Sequence, residues 1–394
     1  MFLEVLRRRN PTFLDVVVAM HRAGALPAGS YVLDLDAVTR NAARLRAEAD
    51  RLGLEIFAMT KQVGRGAPFM AALRAGGIDE SVAVDMQCAA ASNRAGFALG
   101  HVGHLVQVPR ADAPVASAMN PGNWTVFDLG KAAEAASASQ ALDRTQPVLA
   151  RVTAEGDRFY PGHEGGFDAE DVRRVAESID ALPGASFAGV TTFPAALFDQ
   201  AAGVVRPTPN LATLTRAAER LAGAGRGDVR VNAPGTTSTA TLSMLAGAGA
   251  TQVEPGHALT GTTPPHAFED LPEEPAALFV SEISHQAGGR AYCFGGGLYV
   301  DPVFEPYRMR ALVAESEDPD ARVLVEADVP PPEAIDYYGM LTHPEARNLV
   351  QGATVIFGFR IQAFVTRAPV VGLAGVGTGR PRVAGAWRHD GTPL

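Results

Sequence analysis

The sequence predicts an α/β protein: a (β/α)8 TIM-type barrel followed by a C-terminal β-rich domain. Three observations lead there. From about residue 54 to residue 255, short apolar runs alternate with Ala-rich segments of helical period. Eight such runs can be picked out, the number that closes a parallel barrel, with a doubly wound open sheet as the runner-up. After about Pro264 the pattern turns to strand-like runs and turns with few helical segments.

Taken in order, the first 30 residues read as a helical preamble ending at the turn LPAGS, before a strand at Tyr31 to Asp34. Asp36 is then expected to cap a helix running to about Leu52. Apolar runs begin near Leu54, Ser81, His104, Trp124, Pro147, Ser186, Asp228 and Thr251. Among the helical segments between them are Ala67 to Ala75, Lys131 to Ala141, Asp168 to Leu182 and Asn210 to Ala224. Beyond Pro264, ALFVSEISH, GRAYCFGGGLYVD, RMRALVAE and ARVLVEAD read as strands, and TVIFGFRIQAFVTRAPVVGLAGV as a long final one. The expected divisions are 1–36 for the helical segment and leading strand, 37–264 for the barrel and 265–394 for the β domain.

Composition narrows the function classes. A chain of 394 residues, 47% hydrophobic with mean hydropathy near zero, is expected to be soluble with an ample core. The N-terminal stretch MFLEVLRRRNPTFLDVVVAM carries charges through its apolar positions, so neither a signal peptide nor a span is indicated and a cytoplasmic location is expected. Cys88 and Cys293 are too few and too far apart for a disulfide framework or a metal cluster. A net charge of -9 gives no basic footprint for nucleic acid.

The candidate site is organised by EIFAMTKQVGRGAP, a short strand that delivers Thr60 and Lys61 to its C-terminal end. In a barrel, residues at the C-terminal strand ends share one mouth. The strand ends supply Lys61, Asp85, Arg151, then Thr191, Thr192 and Phe193, then Asn232 followed by APGTTSTAT, and Glu254 followed by Pro-Gly-His. Gly235, Thr236 and Thr237 can offer backbone amides to an anion at a helix N-terminus, and Gly256 can do so from the neighbouring loop. A phosphate cradle, a lysine and a carboxylate are thus expected together. Taken singly, each has an ordinary explanation: a solvated lysine, a helix-capping loop, a structural glutamate. Their joint placement is what points to chemistry. His101 and His104 stand at i, i+3 without cysteine or carboxylate ligands nearby in sequence, so no metal is expected there.

The segments YVLDLDAVTRN, AMTKQVGRG, VAVDMQCA, GHVGHLVQVP, FYPGHEGGF, GVTTFP, NAPGTTSTATL, VEPGHALTGTTP, ISHQAGGRAYCFGGGLY, IDYYG and VIFGFRIQAFVTR run from end to end. In them the chain resembles the alanine racemase-like, fold type III family of pyridoxal 5'-phosphate enzymes, and most closely its YhfX-like branch. The resemblance implies a barrel and a β domain in a homodimer, each β domain covering the partner's barrel mouth. It implies that Lys61 holds the cofactor as a Schiff base and that Glu254 lies beside the pyridine nitrogen. Alanine racemases proper carry an arginine at that position. By the same matching, Arg151 sits near the ring or its phenolate oxygen. His257 joins Gly235, Thr236 and Gly256 around the phosphate, with Thr237 and Asp85 counted among the cofactor-binding residues. Many relatives carry a histidine under the ring in a Thr-His-Phe arrangement, but this sequence reads Thr191, Thr192, Phe193, so Thr192 or Phe193 would fill that space.

In the β domain, Ile335, Asp336, Tyr337 and Tyr338 fall where relatives contribute a substrate-contacting loop to the partner's site. A tyrosine there could supply the second acid/base. Cys293, beside Tyr292, is the other candidate, and Arg360 and Gln362 could face the site from the final strand. Equally, all of these could be packed in a β core. D-serine and D-threonine type relatives place metal ligands in this domain, and FGFRIQAF has no His or Cys to match them. The expected activity is racemisation or epimerisation at the α-carbon of a free amino acid. Decarboxylation comes second, argued from Glu254 and from Asp336 as a partner for a distal amine. A cofactor carrier or regulatory protein without turnover comes third, and the β domain speaks against it, because a catalytic site gains from excluding water.

Overall fold

The structure is a computed structural model and describes residues 1–299, 309–342 and 349–394. The chain divides into two compact units, one formed by 42–60 and 73–256 and the other by 1–41, 61–72 and 257–394.

The first unit is a parallel barrel. Its strands follow the order Ala58–Met59, Glu80–Ala83, Ala98–Val102, Asn123–Val126, Gln146–Thr153, Ala185–Thr191, Arg230–Asn232, Gln252–Val253 and Glu55–Ile56. The first and last of these are halves of one run broken at Phe57, so the sheet closes on itself as the expected eight-membered ring. Parallel strands covered on both faces read as unbroken apolar runs, which is why the sequence locates them. The third strand is the exception. The run expected to begin near His104 is not the strand, which lies before it at Ala98–Val102 and stops where Gly103 turns the chain at φ 76°, a position where a Cβ would lie 2.7 Å from Thr125 O. His104 therefore stands in the loop beyond the strand end.

The second unit is built on a nine-stranded sheet in the order Arg290–Phe294, Tyr338–Thr342, Val323–Asp328, Arg310–Ala314, Thr354–Phe357, Ala277–Ala287, Ser30–Asp34, Val370–Ala374 and Arg382–Trp387. Arg290–Phe294 also pairs with Ala277–Ala287, which closes six of the strands into a ring. Leu6, Phe13 and Val17 of the N-terminal helices pack against Val32, Val280, Ile356 and Val371 of this sheet. The leading strand expected before the barrel thus belongs to the β unit, lying between 277–287 and 370–374. An all-buried five-residue run cannot announce which sheet it joins. The helix Leu35–Leu52 is capped by Asp34, not Asp36: its Oδ1 accepts from the amides of Asp36 and Ala37, each at 3.0 Å.

The long final strand expected from the sequence is interrupted. At Gly358 a Cβ would lie 2.8 Å from Leu3 Cα, so glycine admits the N-terminal helix at this point. The chain then passes through a short 3-10 turn, Ala363–Val365, before Val370–Ala374. Arg360 and Gln362 accordingly lie in the connection and not on a strand.

Candidate active site

In the barrel unit, four residues at or near C-terminal strand ends carry unpartnered polar atoms. Thr60 Oγ1, Arg151 Nε and Nη1, Thr192 Oγ1 and Glu254 Oε2 are buried and have no hydrogen-bond partner among the described residues. Each such group costs on the order of 1–3 kcal/mol unless something binds it, which makes this end of the barrel the candidate ligand site. Arg151 is the largest of them. Its guanidinium lies over the rings of Phe127 and Phe159, 4.5 and 5.4 Å from their centroids, and Nη2 donates to His163 O at 2.5 Å. Burial pulls its pKa down to about 10 against the opposing pull of Glu164. Nε and Nη1 remain, with three N–H groups between them, for an oxygen acceptor.

Glu254 sits in a chain of polar groups that crosses the barrel interior. Its Oε1 accepts from His101 Nδ1 at 2.6 Å and from Asn232 Nδ2 at 2.9 Å. His101 Nε2 lies 2.6 Å from Thr125 Oγ1, and Thr191 Oγ1 donates to Asn232 Oδ1 at 2.7 Å. His104 Nε2 lies 3.4 Å from Oε2. Burial alone would raise the Glu254 pKa, but His104, His101 and the hydrogen bonds from His101 and Asn232 outweigh it and hold the carboxyl well below its usual range. Sequence spacing misses this arrangement. The carboxylate that faces the two histidines is supplied by the eighth strand, 153 positions from His101.

The expected phosphate loop is partly committed. The Thr236 amide donates to Ala196 O at 2.9 Å, leaving Gly235 and Thr237 as the candidates beside the helix Thr239–Gly247. Gly235 itself is required by packing, since a Cβ there would lie 2.7 Å from the Ala196 backbone. Asp85 is a helix cap: its Oδ1 accepts from Cys88 N at 2.7 Å at the start of Met86–Arg94. Phe193 packs among the rings of His104, Tyr160 and His163, with centroids 5.6 to 6.0 Å away, which leaves Thr192 as the group this strand offers.

In the β unit, Lys61 opens the 3-10 turn Lys61–Val63, and its Nζ lies 5.2 Å from the centroid of Phe364. The turn is held from behind. Trp387 Nε1 donates to Val63 O at 2.8 Å and Arg65 Nη1 donates to His389 O at 2.8 Å. His257 Nε2 donates to Ile361 O at 3.0 Å. Its pKa is pushed well below the ordinary value by burial, then by Arg360, with Lys61 adding to the effect, so the ring is neutral. In that tautomer Nδ1 carries a lone pair, which does not suit a phosphate oxygen. The ring of His257 is thus a support for the 361 backbone, and its contribution to an anion site is through the main chain.

The expected acid/base candidates separate. Cys293 is fully buried in the sheet, and burial pushes its thiol up to about 12. It neither reaches a neighbouring molecule nor ionises readily, so it is a core thiol. Asp336 accepts from Gly297 N through Oδ2 at 2.7 Å and pairs with Arg367 through Oδ1 at 2.6 Å. It braces its loop, which weakens its role as a partner for a substrate amine. Tyr292 stacks on His285 at 4.7 Å, and Tyr338 meets the same ring edge-on at 5.0 Å. Tyr337 is 62% exposed and stands apart from that stack.

Comparison with known proteins gives the family and the fold. The family described as alanine racemase, N-terminal domain, matches residues 33–264, and the YhfX-like C-terminal domain matches residues 278–383. Uncharacterized protein YhfX of Escherichia coli (strain K12) is 39% identical over 398 residues, covering all of both chains. Among solved structures, D-threonine aldolase from Filomicrobium marinum superposes with a TM-score of 0.67 at 18% identity, covering 93% of this chain and 95% of the other. D-threo-3-hydroxyaspartate dehydratase from Delftia sp. HT23 gives 0.66 at 19%, covering 91% and 97%. Alanine racemase from Clostridium difficile 630 gives 0.65 at 15%, covering 91% and 98%. At such identities these structures speak for the fold, and the family rests on the domain matches and the full-length relative. The chain belongs to the alanine racemase-like family, in its YhfX-like branch.

Proposed function

We propose that the protein is a pyridoxal 5'-phosphate enzyme acting at the α-carbon of an amino acid, and that its reaction is racemisation or epimerisation. The observation that carries this reading is the set of partnerless buried polar atoms on the barrel strand ends, Thr60, Arg151, Thr192 and Glu254, with Lys61 next in the chain after Thr60. These fit the cofactor in kind. A lysine amine suits its aldehyde, an ionised carboxylate its ring nitrogen, a guanidinium with Nε and Nη1 spare its phenolate oxygen or a substrate carboxylate, and the amides of Gly235, Thr237 and Gly256 its phosphate. The names of the structural neighbours, an aldolase, a dehydratase and a racemase of amino acids, are in keeping with such a site.

When bound, the cofactor supplies an electron sink that acidifies the α-proton. The protein's own groups do the rest. Lys61 would hold the cofactor and would move the α-proton on one face. Glu254 would face the ring nitrogen and favour positive charge there. Arg151 orients the oxygen it meets. Tyr337, exposed on the β unit, serves the opposite face from a second copy of the chain in a homodimer.

Two measurements test this. Purified protein reconstituted with pyridoxal phosphate should show visible absorbance that borohydride bleaches, and Lys61→Ala should lack it. Incubation in deuterium oxide with L- and D-amino acids should then give deuterium uptake with inversion for one substrate. Loss of the carboxylate mass would make the protein a decarboxylase, which Glu254 as ring-nitrogen partner favours. Absence of the absorbance in wild type after reconstitution would end the cofactor reading.

A further inference from the structure

Glu254 is the group on which the electronics of the proposed site depend, and a buried carboxylate does not stay ionised without help. Desolvation favours the neutral acid, and a neutral carboxyl would give no electrostatic support to a protonated ring nitrogen. The barrel supplies that help on one side only. Oε1 takes hydrogen bonds from His101 Nδ1 at 2.6 Å and Asn232 Nδ2 at 2.9 Å, which uses both of its acceptor directions. Oε2 takes no hydrogen bond, and His104 Nε2 is 3.4 Å away.

We infer that His101, oriented by Thr125, is a positioning residue that holds Glu254 as a carboxylate turned so that Oε2 is presented to the cofactor's ring nitrogen. This rests on the cofactor reading above. A carboxylate can only accept, so the hydrogen of the bond to Oε1 is on Nδ1, and Nε2 lies 2.6 Å from the Thr125 hydroxyl. Thr125 fixes the ring: a hydroxyl behind Nε2 holds the imidazole with Nδ1 turned to Glu254, as partners of ligating and catalytic histidines do elsewhere. The side chains of His101, Thr125 and Asn232 are almost fully buried, so water does not compete for these bonds.

The same three residues, His101, His104 and Glu254, lie close enough to hold a metal ion, their ligand atoms within 4.8 Å of one another. The geometry favours the hydrogen bond. Two ligand atoms bound to one zinc at ~2.0–2.1 Å in a tetrahedron are about 3.3 Å apart, whereas 2.6 Å is the length of a strong hydrogen bond to a carboxylate.

The experiment compares wild type with His101→Leu, which removes the donor, and His101→Asn, which places an amide N–H near the position of Nδ1. Each is loaded with pyridoxal phosphate labelled with nitrogen-15 in the ring, and the ring-nitrogen resonance is recorded. Wild type and His101→Asn should show the protonated position, and His101→Leu should lose it while Lys61 still takes up the cofactor. Retention of the protonated position in His101→Leu overturns the inference. So does a stoichiometric metal ion in wild type that both variants lose. Should His101→Leu fail to fold, Thr125→Val removes the bond behind the imidazole and should give a partial loss of the protonated signal. In the unloaded protein a deshielded Nδ1 proton, present in wild type and absent in His101→Leu, reports the bond to Glu254 directly. Its absence from wild type overturns the arrangement whatever the cofactor does, whereas failure of wild type to load the cofactor overturns the functional reading.

Discussion

Gly66→Ala should loosen the turn that carries Lys61, and the size of the effect can be worked out. A Cβ at this position would lie 2.1, 2.3 and 2.5 Å from Cε2, Cδ2 and Nε1 of Trp387. Comfortable carbon contacts begin near ~3.5 Å, so the indole must retreat by about 1.4 Å. It is 1% exposed and has no room for that without moving its neighbours. Its hydrogen bond to Val63 O, now 2.8 Å, would be stretched past bonding length. Overpacking of this kind costs about 1–3 kcal/mol and the hydrogen bond about 1 kcal/mol more, so the expected loss is about 2–4 kcal/mol. Urea unfolding followed by circular dichroism measures it, and tryptophan emission reports the indole, since the chain has only two tryptophans. Gly377→Ala is the control: its Cβ would meet nothing within 4 Å, and the change should stay within about 0.5 kcal/mol. A Gly66→Ala protein as stable as that control, with wild-type emission, would falsify the account of Trp387 as the support of the turn.

Three further outcomes are expected. Arg151→Lys replaces a planar fork between two aromatic rings by a point charge with different reach, and should weaken pyridoxal phosphate binding by about tenfold or more in an absorbance titration with the fold intact by circular dichroism. His257 is neutral in the folded protein and ordinary when unfolded, so the unfolded chain binds the extra proton below about pH 6.5. Stability from this group is full above that pH and falls as the solution is acidified, by up to about 1.4 kcal/mol per pH unit; His257→Gln should flatten the slope in urea titrations between pH 5 and 8. Glu254, depressed in the folded state, adds a loss of the same sign only below about pH 4.5. Cys293→Ala should leave deuterium exchange at wild-type rate, and iodoacetamide should reach Cys293 of native protein only after denaturant is added.

Much of this molecule is legible in its sequence because parallel strands buried on both sides leave continuous apolar runs. The positions of Lys61, Arg151, Thr192 and Glu254 follow from where those runs stop. What was not legible depends on contacts across the chain. Ser30–Asp34 is as apolar as a barrel strand, and only its partners at 277–287 and 370–374 decide its sheet. The break at Gly358 comes from the approach of Leu3, which periodicity cannot register. Asp85 follows a strand and also starts a helix, and the sequence alone does not register that its Oδ1 caps that helix. His101 and His104 have no carboxylate near them along the chain, while the barrel closes the eighth strand's Glu254 onto them.

The β unit is assembled from the beginning, a short middle piece and the end of the chain. During synthesis, then, the apolar helices that start the protein leave the ribosome long before the strands that cover them. Ser30–Asp34 stays open along one edge until residues 370–374 emerge, and the turn bearing Lys61 lacks its tryptophan brace until residue 387 has been added. A chain without residues 370–394 would have its barrel sequence complete and its lysine turn unsupported.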